Sequence, residues 1–228
     1  MVQMVLKTEK VNVLFKWLSF CSIAGSILLT LAWIVFGLFM PPVHNEYGII
    51  GGILGTISNP ISGIGVGPYG IFYNLAFILS GVLIFIGILG VFLFLDKKSK
   101  KHWLMAALLL LSPIGFIIVG VVNLSVSVPL HMIGFFLGGG SLIVGGIIVG
   151  LYFRSFKNCK IYGNILIICA PVLLIFTIFS QATFDIELIA TGGGIAGIPS
   201  RLNVLTGCFM HFIIGFMGIK QSKNNLEK

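Results

Sequence analysis

Charge is what this chain has least of. Only 9% of its 228 residues are Asp, Glu, Lys or Arg, where a soluble domain carries about a quarter. With 57% hydrophobic residues and a mean hydropathy of +1.12, the chain lacks the polar side chains needed to cover a soluble fold. Acidic residues are the scarcest class, six against fourteen Lys and Arg, for a net charge of +8. In a soluble protein that balance would point to nucleic acid. Here the basic residues stand at the ends of long apolar runs, so they read as topology signals resting near lipid headgroups, and no nucleic-acid partner is expected.

Cysteine is also sparse. Cys21, Cys159, Cys169 and Cys208 are spread over three apolar segments and one basic loop, with no C-x-x-C pair, which excludes a disulfide framework or a structural zinc site. H-E-x-x-H and G-x-S-x-G are missing, and the glycine runs lack the strand, Lys and Ser/Thr context of a phosphate-binding loop. No cofactor and no metal is expected. A cleavable leader is a poor reading of the start: Lys7, Lys10 and Lys16 precede an apolar run of about 24 residues, longer than a signal-peptide core. Met40-Pro41-Pro42-Val43 offers no small-residue cleavage site, so the first span is expected to stay.

What the chain does have is long hydrophobic runs. The plainest is 71–95, uncharged throughout and ended by Asp96 and then Lys97, Lys98, Lys100 and Lys101. About 25 residues make a helix of roughly 37 Å, enough to cross a hydrocarbon core of about 30 Å with some tilt. Lysines are retained on the cytoplasmic side, so this one assignment orients the rest. The remaining spans fall at 17–40, 103–122, 130–153, 161–181 and 202–219, preceded by a lysine-bearing arm that could form a short interfacial helix. The expected fold is all-α: one integral membrane domain over 1–228, a six-span helical bundle with both termini cytoplasmic, in the cell membrane. Thirteen of the fourteen Lys and Arg residues then lie inside, Arg201 being the exception in the last outer loop.

Pro113 and Pro171 sit mid-span and should kink their helices. Gly134 and Gly138, and Gly146 and Gly150, repeat at G-x-x-x-G spacing, which lets helices approach closely in lipid and marks the fourth span as the expected tightest-packed helix. The outer segment 41–70 is unusual. Its glycines and Asn59-Pro60 favour turns over regular structure, yet it is too apolar for a solvated loop. Irregular backbone of this kind must fold over the mouth of the bundle or re-enter it.

Polar groups near the outer face are the candidates for function. Ser58, Asn74, His131 and Arg201 lie within about two turns of the outer boundary and are expected to converge on one pocket. His44, Glu46, Asp185, Glu187 and His211 are secondary candidates, His211 alone being deep, since ionisable groups inside a membrane are costly. The expected role is non-enzymatic, either lipid-associated or a membrane-complex subunit, with membrane lipid and another membrane protein as possible partners. A small-solute or ion transporter is the alternative, suggested by Pro113, Pro171, His211 and the glycine-rich loops. A metal-dependent intramembrane hydrolase would use His44, His131 and Asp185 or Glu187 as ligands. A haem carrier would need two histidines at matching depth, which His131, His211 and His102 do not offer.

The run 56–87 carries a likeness. Ile57, Ser58, Asn59, Gly67, Pro68, Phe72 and Asn74 resemble the signature of a family of small six-span prokaryotic membrane proteins, domain-of-unknown-function family 998. His131 with Gly134, Phe135 and Phe136, and Arg201 before the last span, are similar to its later motifs. Asn59 stands where an acidic residue is common in that family, and Pro60 breaks the usual run. The resemblance covers about 17–219 and implies fold and topology rather than an activity.

Overall fold

A computed structural model describes residues 2–45, 47–95, 99–185, 189 and 194–224. Helix α1 (Val2–Trp33) continues through a π-helical stretch, Ile34–Phe39. The lysine-bearing arm is therefore not a separate interfacial helix; no proline interrupts it, and it runs on into the span. Pro41 ends the helix, because a residue before proline is pushed out of the α region, and Met40 is extended (φ −75°, ψ 145°).

The glycine-rich segment has more regular structure than its composition suggests. Strands β1 (Val43–Asn45) and β2 (Gly48–Ile50) form an antiparallel hairpin with Val43 opposite Ile50. Gly48, at φ +94°, opens β2, with the Ile189 carbonyl packed where a side chain would go. Short helix α2 (Gly52–Ser58) and a 3-10 turn, Ile61–Val66, follow. Ser58, Asn59, Ile61 and Ile64 are buried, so this segment is a packed cap on one end of the bundle.

The other long helices are α3 (Gly70–Phe94), α4 (Lys100–Val121), α5 (Val128–Arg154), α6 (Lys160–Ala182) and α7 (Gly197–Asn224). Ser99 and Ser127 cap α4 and α5, accepting from the amides of His102 and Leu130, and Pro129 sits in the first turn of α5, where its missing N–H costs nothing. Both α4 and α6 continue through their prolines. Among the described residues six segments are long and apolar enough to cross a membrane: Val13–Phe39, Gly70–Leu93, Lys100–Val121, Val128–Arg154, Lys157–Ala182 and Gly197–Gln221, with mean hydropathies from 1.7 to 2.8.

Each long helix packs on its neighbour in sequence, and α1 meets α7 to close a ring; α7 also reaches α3 and α5 across the interior. Burial follows from that. In α7, 61% of the most apolar window is buried, against 44% in α5 and 28% in α6. The deepest helix is thus α7, not the glycine-rich α5. The two G-x-x-x-G pairs of α5 serve different neighbours: Gly134 and Gly138 meet Gly115, Phe116 and Ile118 of α4, while Gly146 and Gly150 meet Ala170, Gly163 and Ile167 of α6. Between their polar ends the outward faces are mainly apolar, with Leu31, Leu104, Ile133 and Ile168 among the exposed side chains. Water would not tolerate so much contiguous apolar surface; lipid does.

Candidate functional site

A cavity of about 220 Å³ lies in the cap half of the ring, lined by α3 to α7 and by residues 60–62, with the half-exposed Val128 and Phe184 at its rim. Its walls are Phe77 of α3, Phe116 and Val119 of α4, Met132, Phe135 and Leu142 of α5, Leu173 of α6, and Val204 and Gly207 of α7. The polar lining is Ser62, His131, Ser180, Gln181, Ser200 and Asn203; among the described lining residues none is Asp, Glu, Lys or Arg.

Those polar groups are held by specific bonds. His131, buried in the first turn of α5, donates from Nδ1 to the Val122 carbonyl at 2.7 Å. A carbonyl only accepts, so Nδ1 carries the proton and Nε2 is an acceptor. Asn203 donates from Nδ2 to Thr177 Oγ1 of α6 at 2.6 Å, leaving Oδ1 as an acceptor. Ser200 Oγ accepts from the Ile61 amide at 3.0 Å, tying residues 60–62 to α7.

Below the floor, Phe116 stands edge-on to His211 with ring centroids 5.8 Å apart. His211 is fully buried at the middle of α7, with Nε2 3.0 Å from Ser112 Oγ of α4, and its carbonyl accepts from Ser22 Oγ of α1 at 2.8 Å. It joins three helices.

A second hollow lies between α5 and α6 on the outward side, bordered by Phe136, Gly140, Ile143, Leu174 and Ile178. Phe135, Gly139 and Gln181 border both hollows, so one layer of residues separates them.

Of the four residues expected to share a pocket, only His131 lines the cavity. The other three hold the cap. Arg201 lies within α7 rather than in a loop, 5% exposed; its Nη1 donates to the carbonyls of Asn59 (2.9 Å) and Gly197 (3.0 Å), and its guanidinium sits 5.9 Å from the Trp33 ring. Ser58 donates to Leu54 in its own helix, and Asn74 donates to the Gly65 carbonyl at 3.0 Å, which Asn123 also reaches at 3.3 Å. Among the described residues Trp33 Nε1, Tyr73 Oη and Arg201 Nε have no hydrogen-bond partner.

The secondary candidates are dispersed. His44 is exposed on β1 opposite Ile49, and Asp185 is exposed after α6. Glu46 and Glu187 lie outside the described residues. Among the described residues no three of His, Cys, Asp and Glu stand close enough to hold a metal. Sequence reasoning missed Ser180, Gln181, Ser200, Asn203 and Thr177. One signal was present: Ser200, Asn203 and Gly207 repeat at helical spacing, but a span taken to begin at 202 leaves Ser200 in a loop. It weighed His102 only as a haem ligand; that residue is fully buried at the lysine-bearing end, where Nδ1 is 2.8 Å from Tyr152 Oη and Nε2 is 2.6 Å from the Phe92 carbonyl.

Six membrane-length helices closed in a ring, apolar outside and holding an uncharged cavity within, define a multi-pass integral membrane protein. Comparison with protein families makes this more specific. The model of the family described as "Protein of unknown function (DUF998)" matches residues 23–217, from within α1 to near the end of α7, and the chain belongs to that family. The resemblance to this family read from the sequence is thereby borne out. No curated protein and no solved structure matches the chain.

Proposed function

We propose that this is a lipid-associated protein of the cell membrane, with both termini cytoplasmic, whose cavity houses the apolar part of a membrane lipid without chemical change to it. One observation carries the reading: an apolar cavity of about 220 Å³ with a small polar fringe, inside a bundle already surrounded by lipid. An apolar cavity of about 150 Å³ stays dry and accepts benzene, so this one suits a length of hydrocarbon chain better than an aqueous solute. The fringe of hydroxyls, an amide and an imidazole fits the usual form of a small-molecule site, apolar walls with a few placed polar groups.

The transporter reading has less behind it. A solute path would have to reach His211, and Phe116 stands between that side chain and the cavity. The hydrolase reading would need His44 and His131 together, and they lie on the cap hairpin and at the cavity wall respectively.

The test is extraction of the protein, purified in a mild detergent, followed by mass spectrometry of the organic phase. Near-stoichiometric lipid is expected from the wild type, and much less from Val204→Phe, which fills the cavity from α7. An empty extract, with another membrane protein copurifying at fixed ratio, would replace this reading with that of a complex subunit.

A further inference from the structure

Resting on that reading, we infer that the ligand is an uncharged lipid ending in a hydroxyl, admitted sideways from the bilayer between α5 and α6 over Gly139. The chemistry of the lining selects the end group. The one ionisable lining residue is His131, so a carboxylate or phosphate brought into such a site is paired only if that buried imidazole takes up a second proton, and otherwise stays unpaired at a cost of several kcal/mol. The two best-defined polar atoms are acceptors: His131 Nε2, because Nδ1 is given to Val122, and Asn203 Oδ1, because the amide N–H is given to Thr177. Acceptors call for a donor. An alcohol supplies one, an ester or a bare hydrocarbon does not, and the hydroxyls of Ser180 and Ser200 can in turn donate to the alcohol's oxygen.

The route follows from size and packing. The cavity is too small for a whole lipid, so the remainder of the chain must pass out to the bilayer. The hollow between α5 and α6 shares Phe135, Gly139 and Gln181 with the cavity and faces outward through Phe136 (51% exposed) and Ile178 (56%). The wall is thinnest at the glycines. A Cβ on Gly139 would find only Asn203 Oδ1 within 4 Å, at 3.9 Å, and one on Gly140 would find nothing. On the other side of the passage α6 is the least buried span, 28% of its window against 44% in α5, so it gives up the least packing when it moves. The Thr177–Asn203 hydrogen bond ties α6 to α7 beside this gap and so restrains α6 from moving.

A photoactivatable hexadecanol with its diazirine at the chain end tests this on the purified full-length protein. Labelling is expected on α5 and α6 around residues 139–143 and 174–178, competed by hexadecanol and not by hexadecanoic acid or phosphatidylglycerol. Gly139→Leu, which fills the passage, is expected to lower labelling about tenfold, while Leu79→Phe on the lipid face of α3 leaves it unchanged; Asn203→Leu should cut the preference for hexadecanol over hexadecane about tenfold, as loss of one buried hydrogen bond does. If Gly139→Leu does not elute as a folded species, Thr177→Val serves instead, and cutting the tie should speed labelling severalfold. Equal competition by the acid, or wild-type labelling in Gly139→Leu with an unchanged rate in Thr177→Val, overturns the inference. Failure of the underlying reading looks different. An organic extract without lipid removes both, whereas a charged lipid in the extract keeps the lipid-associated reading and removes only this one.

Discussion

One of the closest helix contacts makes a prediction that isolates packing from propensity. Gly87 of α3 faces Ser22 of α1 so tightly that a Cβ there would lie against the Ser22 amide nitrogen and Cβ, with Ser22 Cα at 2.7 Å. Two of those three atoms are backbone, so the helices must separate. Ser22 also donates from Oγ to the His211 carbonyl at 2.8 Å, a bond that stretches if α1 retreats. Gly140 of α5 is the counterpart: nothing lies within 4 Å of its Cβ position. Alanine replaces glycine in a helix interior in both cases, so the gain in helix propensity, about 1 kcal/mol, cancels between them. What remains is overpacking at Gly87, about 1–3 kcal/mol, plus about 1 kcal/mol for the weakened hydrogen bond. Gly87→Ala should therefore be less stable than Gly140→Ala by about 2–4 kcal/mol. Titration of the two variants from mild detergent into sodium dodecyl sulfate, followed by circular dichroism, gives the difference directly. A gap below about 0.5 kcal/mol would mean that α1 and α3 yield without cost, contrary to close packing as the force that holds helices together in lipid.

Three further outcomes follow. His102→Phe should destabilise the protein by about 2–4 kcal/mol in the same titration, because the Phe92 carbonyl, an orphan of the last turn of α3, and the buried Tyr152 hydroxyl both lose their partner. Arg201→Met should leave global stability nearly unchanged, since removing a buried charge repays its desolvation, yet free the cap: amide exchange across 56–66, including the Ile61 amide held by Ser200 Oγ, should quicken at least about tenfold. For topology, Ser99→Cys in a background without the four native cysteines should resist an impermeant thiol reagent on intact cells, and labelling there would invert the orientation of the bundle.

Hydropathy and lysine placement alone were enough to read the six spans, because in lipid the length of an apolar run is a direct requirement of the solvent. The termini of helices were harder. Three glycines at 192–194 and Pro199 look like loop, and the last span was drawn from 202; the helix starts at Gly197, because proline in a first turn has no N–H to waste. That shift takes Arg201 out of the loop and into the interior. The cap was underrated for a similar reason. Glycine density was taken as irregularity, whereas Gly48, Gly51 and Gly52 supply the positive φ that the hairpin and the start of α2 need, and the apolar residues between them supply the burial.

The site was less legible because depth and direction are separate facts. Ser58, Asn74, His131 and Arg201 were grouped by distance from the outer boundary, and at that depth a helix still has a full circle of directions available. A step of one residue turns about 100°. Arg201 points toward Trp33 and the Asn59 carbonyl, while Ser200 and Asn203 on the same turn line the cavity. Which face is which depends on α7 crossing the ring toward α3 and α5, a fact of assembly that no single segment encodes. Assembly also explains why the cavity exists. Where α5 meets α4 and α6 its glycines let the backbones close up, on Gly115 of α4 and Gly163 of α6, but no neighbouring helix fills the space beside Gly139 and Gly140. There the lack of a side chain is not repaid by an approaching helix, and the space it leaves is the thin wall between the cavity and the bilayer.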